Sequence, residues 1–408
     1  MARSSAAQTS DLNSLLGILN KAIPDVVSAD PRSYEEARIE AIRACEKMTA
    51  LLHDPFQWLF VESAAYIVPA AMSVVLELKV PHHISSDIEN PTTVEQLSKA
   101  TGAPVGLLER MLRILTKRMI FEEIKPKTYI HNMFSETILV PSVEAWVSLS
   151  SDDNLKAAAA LLPLLKENGF KIPQNDGNCA FSKAFQTPLN QFQYYFDVDP
   201  ERSRRAALSM AAFNSTSMFR DFPFPFDQLP QDGVVVDVGG GGGHVSVELA
   251  RKYPHLNFVV QDLGESIASG AANPEYATLP IKWQEHGLFE PQAVKGADAY
   301  IVRHVLHGFE DETSSKIIGY IAKAMEPGKS RILIIDCVVP KAFGSDSIPF
   351  VNATDILAML GGNGKQRTVE AWDALVKMAD KRLEVVKIWQ QGHLASADAV
   401  IEIRTSRV

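Results

Sequence analysis

The hydrophobic rhythm of the chain changes about half-way along. In the first half apolar positions recur at helical spacing over 12–23, 34–52 and 58–78, which predicts three helices, the first with one polar face. Between 92 and 133, Thr92, Val94 and Leu97 lead to a turn at 101–104 and a helix over 107–115. Short apolar segments follow around Ile120 and Tyr129, so the region reads as a winged helix-turn-helix. Residues 173–188, with Asn175, Asp176 and Gly177, predict a loop, and 190–218 predict helix. Pro223, Pro225 and Pro230 then end helix, which places a boundary near Arg220 and divides the chain into 1–220 and 221–408.

Beyond the boundary, short apolar runs at 234–238, 258–261, 299–302, 331–335, 385–388 and 399–404 alternate with helical patterns. That alternation predicts a mainly parallel, doubly wound α/β sheet with helices on both faces and ligands at the carboxyl ends of its strands. One stretch carries chemistry: VVVDVGGGGGHVSVELARKYPHLNFVVQDL at 234–263 reads as strand, glycine turn, helix over 244–253, and a strand ending in Asp262. Glycines let backbone approach a ligand closely, the helix N-terminus presents unpaired N–H groups, and an acid at the next strand tip can bind ribose hydroxyls. An adenosine-containing cofactor fits, held by Asp237, Gly239, Gly240, Gly241, Asp262 and Leu263, with His286, Gly287, Leu288 and Phe289 at a further strand end. The spacing fits a G-x-G-x-x-G nicotinamide fingerprint poorly, and the Gly-Lys-Ser/Thr of a P-loop is absent.

Composition narrows the class. The chain has 408 residues, 46% hydrophobic and 22% charged, enough for two domains with their own cores. A net charge of −9 argues against a nucleic-acid surface, including one on the winged helix. Cys45, Cys179 and Cys337 are too far apart for a disulfide framework or a close-spaced zinc site, so no metal is expected and a reducing, cytoplasmic setting is the simplest. The N-terminal stretch lacks a secretory pattern, and the most apolar window, 66–80, contains Glu77 and Lys79 and is too short for a bilayer; no membrane partner is expected.

The glycine stretch resembles that of S-adenosylmethionine (SAM) dependent methyltransferases. PQAVKGADAYIVRHVLHGFEDE at 291–312, EPGKSRILIIDCVVP and GGNGKQRTVEAWDAL extend the resemblance to the plant caffeic-acid type and fungal O-methyltransferases. It implies SAM as cofactor, a Rossmann-like catalytic domain behind a mainly helical winged-helix dimerisation domain, and His307 as the base that takes a proton from an acceptor hydroxyl. Histidine suits that transfer near neutral pH. His304, in the same RHVLH, is the competitor, and the family pattern points to the second histidine. The chain departs from the pattern at Gly308 (usually Asp), at Gly287 (usually an acid near the adenine), and at Asp336 and Gln366, where two glutamates usually orient the histidine.

These departures keep a second reading open: a methyltransferase-like pericyclase or dehydratase that uses bound SAM electrostatically, with His131, Arg303 and His307 as hydrogen-bond or acid/base groups. His131 fits a packed, hydrogen-bonded residue as well. A third reading is a non-catalytic SAM-binding dimer. In this family the substrate lies between the domains against aromatic and methionine side chains, for which Phe192, Tyr195, Phe196, Met210, Phe213, Met218, Phe219, Phe350, Ile356 and Met359 are available; several of them must be core. An apolar site suits a flat, hydroxylated, polyketide-like small molecule. The apolar surface of helices 12–23 and 58–78 exceeds what a small helical domain can bury and predicts a homodimer.

Overall fold

The computed structural model describes residues 5–28, 33–175, 177–214, 222–339, 349–390 and 398–406. They divide into two compact units: residues up to 171 with 179–214, and 172–178 with those from 222 onward. Arg220, where the sequence places the boundary, lies outside the described residues, as do Met218 and Phe219.

In the first unit, α1 (Ser5–Ser28) and α2 (Tyr34–Leu52) pack through Ala22, Ala37 and Ala41. The single helix predicted over 58–78 is two, α3 (Pro55–Ser63) and α4 (Ile67–Glu77), bent by 42°. Pro69 explains the break, because it has no N–H for the carbonyl of residue 65 and its ring crowds that carbonyl. The α3 helix buries none of its residues, so Phe56, Leu59 and Phe60 stand exposed. The winged helix follows as predicted. Strand β1 (Thr92–Thr93) leads into α5 (Val94–Thr101), which opens with a Thr93/Gln96 capping box and closes on left-handed Gly102. Next, α6 (Val105–Lys117) buries Leu108, Leu112 and Leu115, and β2 (Glu122–Lys125) and β3 (Thr128–Ile130) complete a small antiparallel sheet.

Three helices have no counterpart in the sequence reading: α7 (Met133–Ile138), α8 (Pro141–Leu149) and α9 (Leu155–Glu167). A π-helical turn, Ser150–Asn154, joins the last two and buries Asp153 completely. Arg202 Nε (3.1 Å), Arg205 Nη2 (2.9 Å) and the Tyr195 hydroxyl (2.8 Å) donate to that carboxylate, which makes its burial tolerable. The stretch predicted as loop holds α10 (Ala180–Phe185), and the helix predicted over 190–218 is interrupted before Pro200 into α11 (Gln191–Asp197) and α12 (Pro200–Asn214).

The second unit is built on an eight-stranded sheet: β4 (Val234–Val238), β5 (Asn257–Asp262), β6 (Ile281–Glu285), β7 (Ala299–Arg303), β8 (Arg331–Val339), β9 (Arg367–Thr368), β10 (Leu383–Trp389) and β11 (Asp398–Thr405). Its order is β10-β11-β8-β7-β4-β5-β6, with β9 parallel to the end of β8, and β11 antiparallel to both its neighbours. Successive strand residues point to opposite faces, so the continuous apolar runs serve two cores. Val236, Tyr300, Val302, Ile332 and Ile334 pack with Ile317 and Ile321 of α15 (Asp311–Ala322) and Trp372 and Leu375 of α17 (Val369–Ala379). Val235, Ile301, Leu333 and Ile335 pack on the other side with Val245 and Leu249 of α13 (His244–Lys252). The remaining helices of this unit are α14 (Gly264–Ala271) and α16 (Pro349–Gly362). The predicted doubly wound sheet is thus present. Its order reverses between β4 and β7, which opens a crevice at their carboxyl ends.

Candidate active site

The glycine turn leaves β4 at that reversal. Gly239, Gly241 and Gly243 all have φ between 56° and 77°, a region that side chains rarely adopt. The Gln261 carbonyl accepts from the N–H groups of Gly239 (2.8 Å) and Gly240 (3.0 Å), and Asp262 Oδ2 accepts from Gly241 N–H (2.8 Å). A Cβ added at Gly241 would meet no atom within 4 Å, so this backbone borders open space. Asp262 also accepts from the Leu263 N–H at 2.7 Å, and burial raises its pKa. The Leu263 side chain is exposed, and the Asp262 carboxylate stands beside the open backbone of the turn.

Asp237 has another place. It is fully buried beneath the turn, where a Cβ on Gly240 would lie 2.6 Å from its carboxyl carbon, and Ser246 Oγ donates to it at 2.7 Å. It braces the turn from below. Burial pushes its pKa up to about 6, against the pull of the Ser246 hydrogen bond and the Arg303 charge. Trp283 is a second support that sequence reasoning missed: its ring lies where Cβ atoms on Gly243 and Gly270 would stand, at 2.4 and 2.2 Å.

The 285–290 loop borders the same turn, since the position of a Gly239 Cβ is 3.4 Å from Leu288. The His286 N–H donates to the Asp262 carbonyl at 3.0 Å, its ring lies 3.5 Å from Glu290, and Phe289 meets Phe309 edge-on. The Cβ direction of Gly287 leads to Glu290 Oε1 at 3.5 Å, so a carboxylate does stand beside the position where the family pattern has one.

The loop after β7 carries RHVLH. His304 takes a left-handed conformation (φ 52°), which turns the chain sharply, and its N–H donates to Ile335 at 3.0 Å. It is half-buried beside His307, ring centroids 5.7 Å apart. His307 Nδ1 lies 2.8 Å from Oδ1 of Asp336, a fully buried carboxylate near the end of β8. Since a carboxylate only accepts, Nδ1 carries the proton and the neutral ring keeps its lone pair on Nε2. Burial pushes the Asp336 carboxyl up, but the charge and hydrogen bond of His307 hold it below the usual carboxylate range. The shorter acid at 336 therefore reaches the histidine. A Cβ on Gly239 would lie 2.9 Å from Val305, so the histidine loop and the glycine turn are in direct contact.

The hydrogen bonds of Gln366 go to other partners: its N–H donates to Asp355 (2.7 Å) and its amide to Thr354 (3.3 Å). The Arg303 guanidinium lies 5.6 Å from the Phe222 ring, and its charge acts on Asp237 and His244. His131 is in the first unit, buried, with Nε2 donating to the Pro81 carbonyl at 2.9 Å, and desolvation lowers its pKa. Of the pocket candidates, Tyr195 is core, bonded to Asp153, whereas Phe192, Phe196, Met210 and Ile356 are exposed and Phe350 and Met359 half-buried. The Phe213 side chain lies outside the described residues.

A glycine cradle beside a carboxylate-oriented histidine at a sheet reversal defines a cofactor-binding α/β enzyme of the methyltransferase type. Residues 167–380 match the O-methyltransferase domain and residues 62–141 the O-methyltransferase dimerisation domain. The chain belongs to the O-methyltransferase family. It is 39% identical to O-methyltransferase xanE of Aspergillus fumigatus, over 91% of this chain and 86% of that one. It is 35% identical to the sterigmatocystin 8-O-methyltransferase of Aspergillus flavus, over 92% and 88%. Two solved structures share its fold at 24% identity and a TM-score of 0.82 over 97% of this chain: a pericyclic reaction enzyme, covered in full, and LepI in complex with SAM, covered to 99%.

The raised pKa of Asp237 makes stability depend on pH. The folded state holds this proton up to about pH 6 and the unfolded chain only to about its ordinary 3.8. The stabilisation is complete below the lower value and is lost as pH rises through the upper one. Asp237→Asn should remove that fall, on the order of 2–3 kcal/mol, from urea titrations between pH 4 and 7; an unchanged slope would assign it to other groups.

Proposed function

We propose that this chain is a SAM-dependent O-methyltransferase acting on a hydroxyl of an aromatic or polyketide-like small molecule. The observation that carries the reading is the 2.8 Å His307–Asp336 pair on a loop in contact with the glycine turn. Gly239, Gly240, Gly241, Asp262 and the 286–289 loop would hold the cofactor, which when bound supplies an electrophilic methyl on a sulfonium. LepI, which shares the fold, has been solved with SAM, and the sterigmatocystin 8-O-methyltransferase relative supports transfer to a hydroxyl of a small molecule.

His307 Nε2 takes the proton of the acceptor hydroxyl, and Asp336 stabilises the imidazolium that forms, without being protonated itself. Asp262 accepts ribose hydroxyls while it holds the turn by Gly241. The first 220 residues are assigned to dimerisation and substrate contact, the remainder to SAM binding and catalysis. A pericyclase reading is supported by the uncharged Gln366 where the family pattern has a glutamate and by the fold shared with a pericyclic reaction enzyme. Retention of the His307–Asp336 pair favours methyl transfer.

Three outcomes follow. Gly241→Val should abolish SAM binding by calorimetry, since a side chain there fills the open face of the cradle; undiminished affinity would remove the cofactor assignment. With sterigmatocystin as first acceptor in a panel of hydroxylated aromatics, His307→Ala should lower S-adenosylhomocysteine formation by about 10²–10⁴ and leave SAM affinity nearly unchanged. Turnover at the parental rate would remove His307 as base. Light scattering should give twice the chain mass, because α3 exposes Phe56, Leu59 and Phe60 next to the matched dimerisation region; a monomer at micromolar concentration would contradict this.

A further inference from the structure

Arg367 is a fully buried charged side chain beside the candidate site, with a side-chain exposure of 0%, and the function proposed above gives it no task. Its guanidinium is spent on the histidine loop. Nη1 donates to the Leu306 carbonyl at 2.8 Å, and Nη2 donates to the Phe309 carbonyl at 2.9 Å and to Ser314 Oγ at 3.2 Å. Nε donates to Asp311 Oδ1 at 3.0 Å, and the guanidinium lies 5.2 Å from the Trp372 ring. The two carbonyls flank the 3₁₀ turn Leu306–Gly308 that carries His307, and the Leu306 carbonyl belongs to the peptide bonded to the nitrogen of His307. A planar fork can bind both carbonyls at once and fix the loop in one register, which a lysine ammonium cannot reproduce.

The anchor of this clamp has the same origin as the acid that holds the imidazole. Arg367 lies in β9, which pairs with β8 at Val338, two residues beyond Asp336. The chain just before it closes on the loop as well: a Cβ on Gly364 would stand 2.1 Å from the His307 carbonyl oxygen and 2.7 Å from the Gly308 carbonyl carbon. Only glycine permits that approach. Lys365, between them, donates to Asp311 at 2.6 Å. One end of β8 therefore sets both the partner of the imidazole and the backbone from which the imidazole hangs.

We propose that Arg367 is a positioning residue for His307, and that together with Gly364 it fixes the backbone from which the imidazole hangs. The proposal rests on His307 as the working base, but its test reads the His307–Asp336 hydrogen bond directly and needs no acceptor. Protein labelled with 15N-histidine is examined by NMR for the downfield Nδ1–H proton of His307, identified by its disappearance in His307→Gln. Arg367→Lys should lose this resonance or move it upfield, with S-adenosylhomocysteine binding unchanged by calorimetry. Asp311→Asn, a change at a half-exposed carboxylate, should shift it in the same direction and to a smaller extent. If Arg367→Lys fails to fold, Asp311→Asn alone decides. A merely structural arginine would lower the melting temperature of its variants and leave the resonance where it is; that result overturns the proposal. Loss of turnover in Arg367→Lys where His307→Ala is fully active would instead count against the base assignment.

Discussion

A carboxylate with no exposed surface, Asp336, sets the terms for the candidate site. Left alone, it would have to take up a proton or draw in water, because burial opposes its charge. Its neighbour His307 resolves this with a 2.8 Å hydrogen bond, and the backbone N–H of Cys337 adds another at 2.9 Å. Histidine orientation, tautomer and basicity all follow from that one bond. It holds only if the loop carrying His307 keeps its register, and the surrounding contacts serve that register: the left-handed turn at His304, the Arg367 clamp and the close approach of Gly364.

The cofactor side depends on the same sheet reversal. Because β4 and β7 are neighbours while the chain between them runs outward through β5 and β6, the glycine turn and the histidine loop emerge side by side and touch at Gly239 and Val305. Buried Asp237 and the Trp283 ring stiffen the turn from beneath, and Asp262 ties its middle. A glycine turn held from beneath and an imidazole held by a carboxylate, side by side, suit the methyl transfer proposed above, whose barrier is lowered chiefly by alignment of two bound partners.

Much of this was legible in the sequence. Short apolar runs announced β4, β5, β7, β8, β10 and β11, and the glycine stretch with Asp262 and the RHVLH motif pointed to the two halves of the candidate site. The edge strand β6 escaped because IKWQE has no apolar run, and two-residue β9 is too short to give a pattern. Helices α8 and α9 escaped because the π turn between them shifts the helical phase and buries polar Ser151, Asp153 and Asn154, while Pro163, a helix-breaking residue in sequence, sits inside α9. Asp237 reads as a ligand contact in sequence, whereas its depth makes it a support. A lone arginine after Gln366 carries no signal at all, since its partners are backbone carbonyls sixty residues away in the chain.

The account rests on His307 acting as a base for an acceptor hydroxyl, and the fate of the cofactor methyl tests that most directly. With SAM carrying a labelled methyl and an acceptor that is turned over, product mass spectrometry should find one label per product molecule and an equal amount of S-adenosylhomocysteine. Unlabelled product formed catalytically while SAM stays intact would contradict the account and establish electrostatic use of the cofactor in its place.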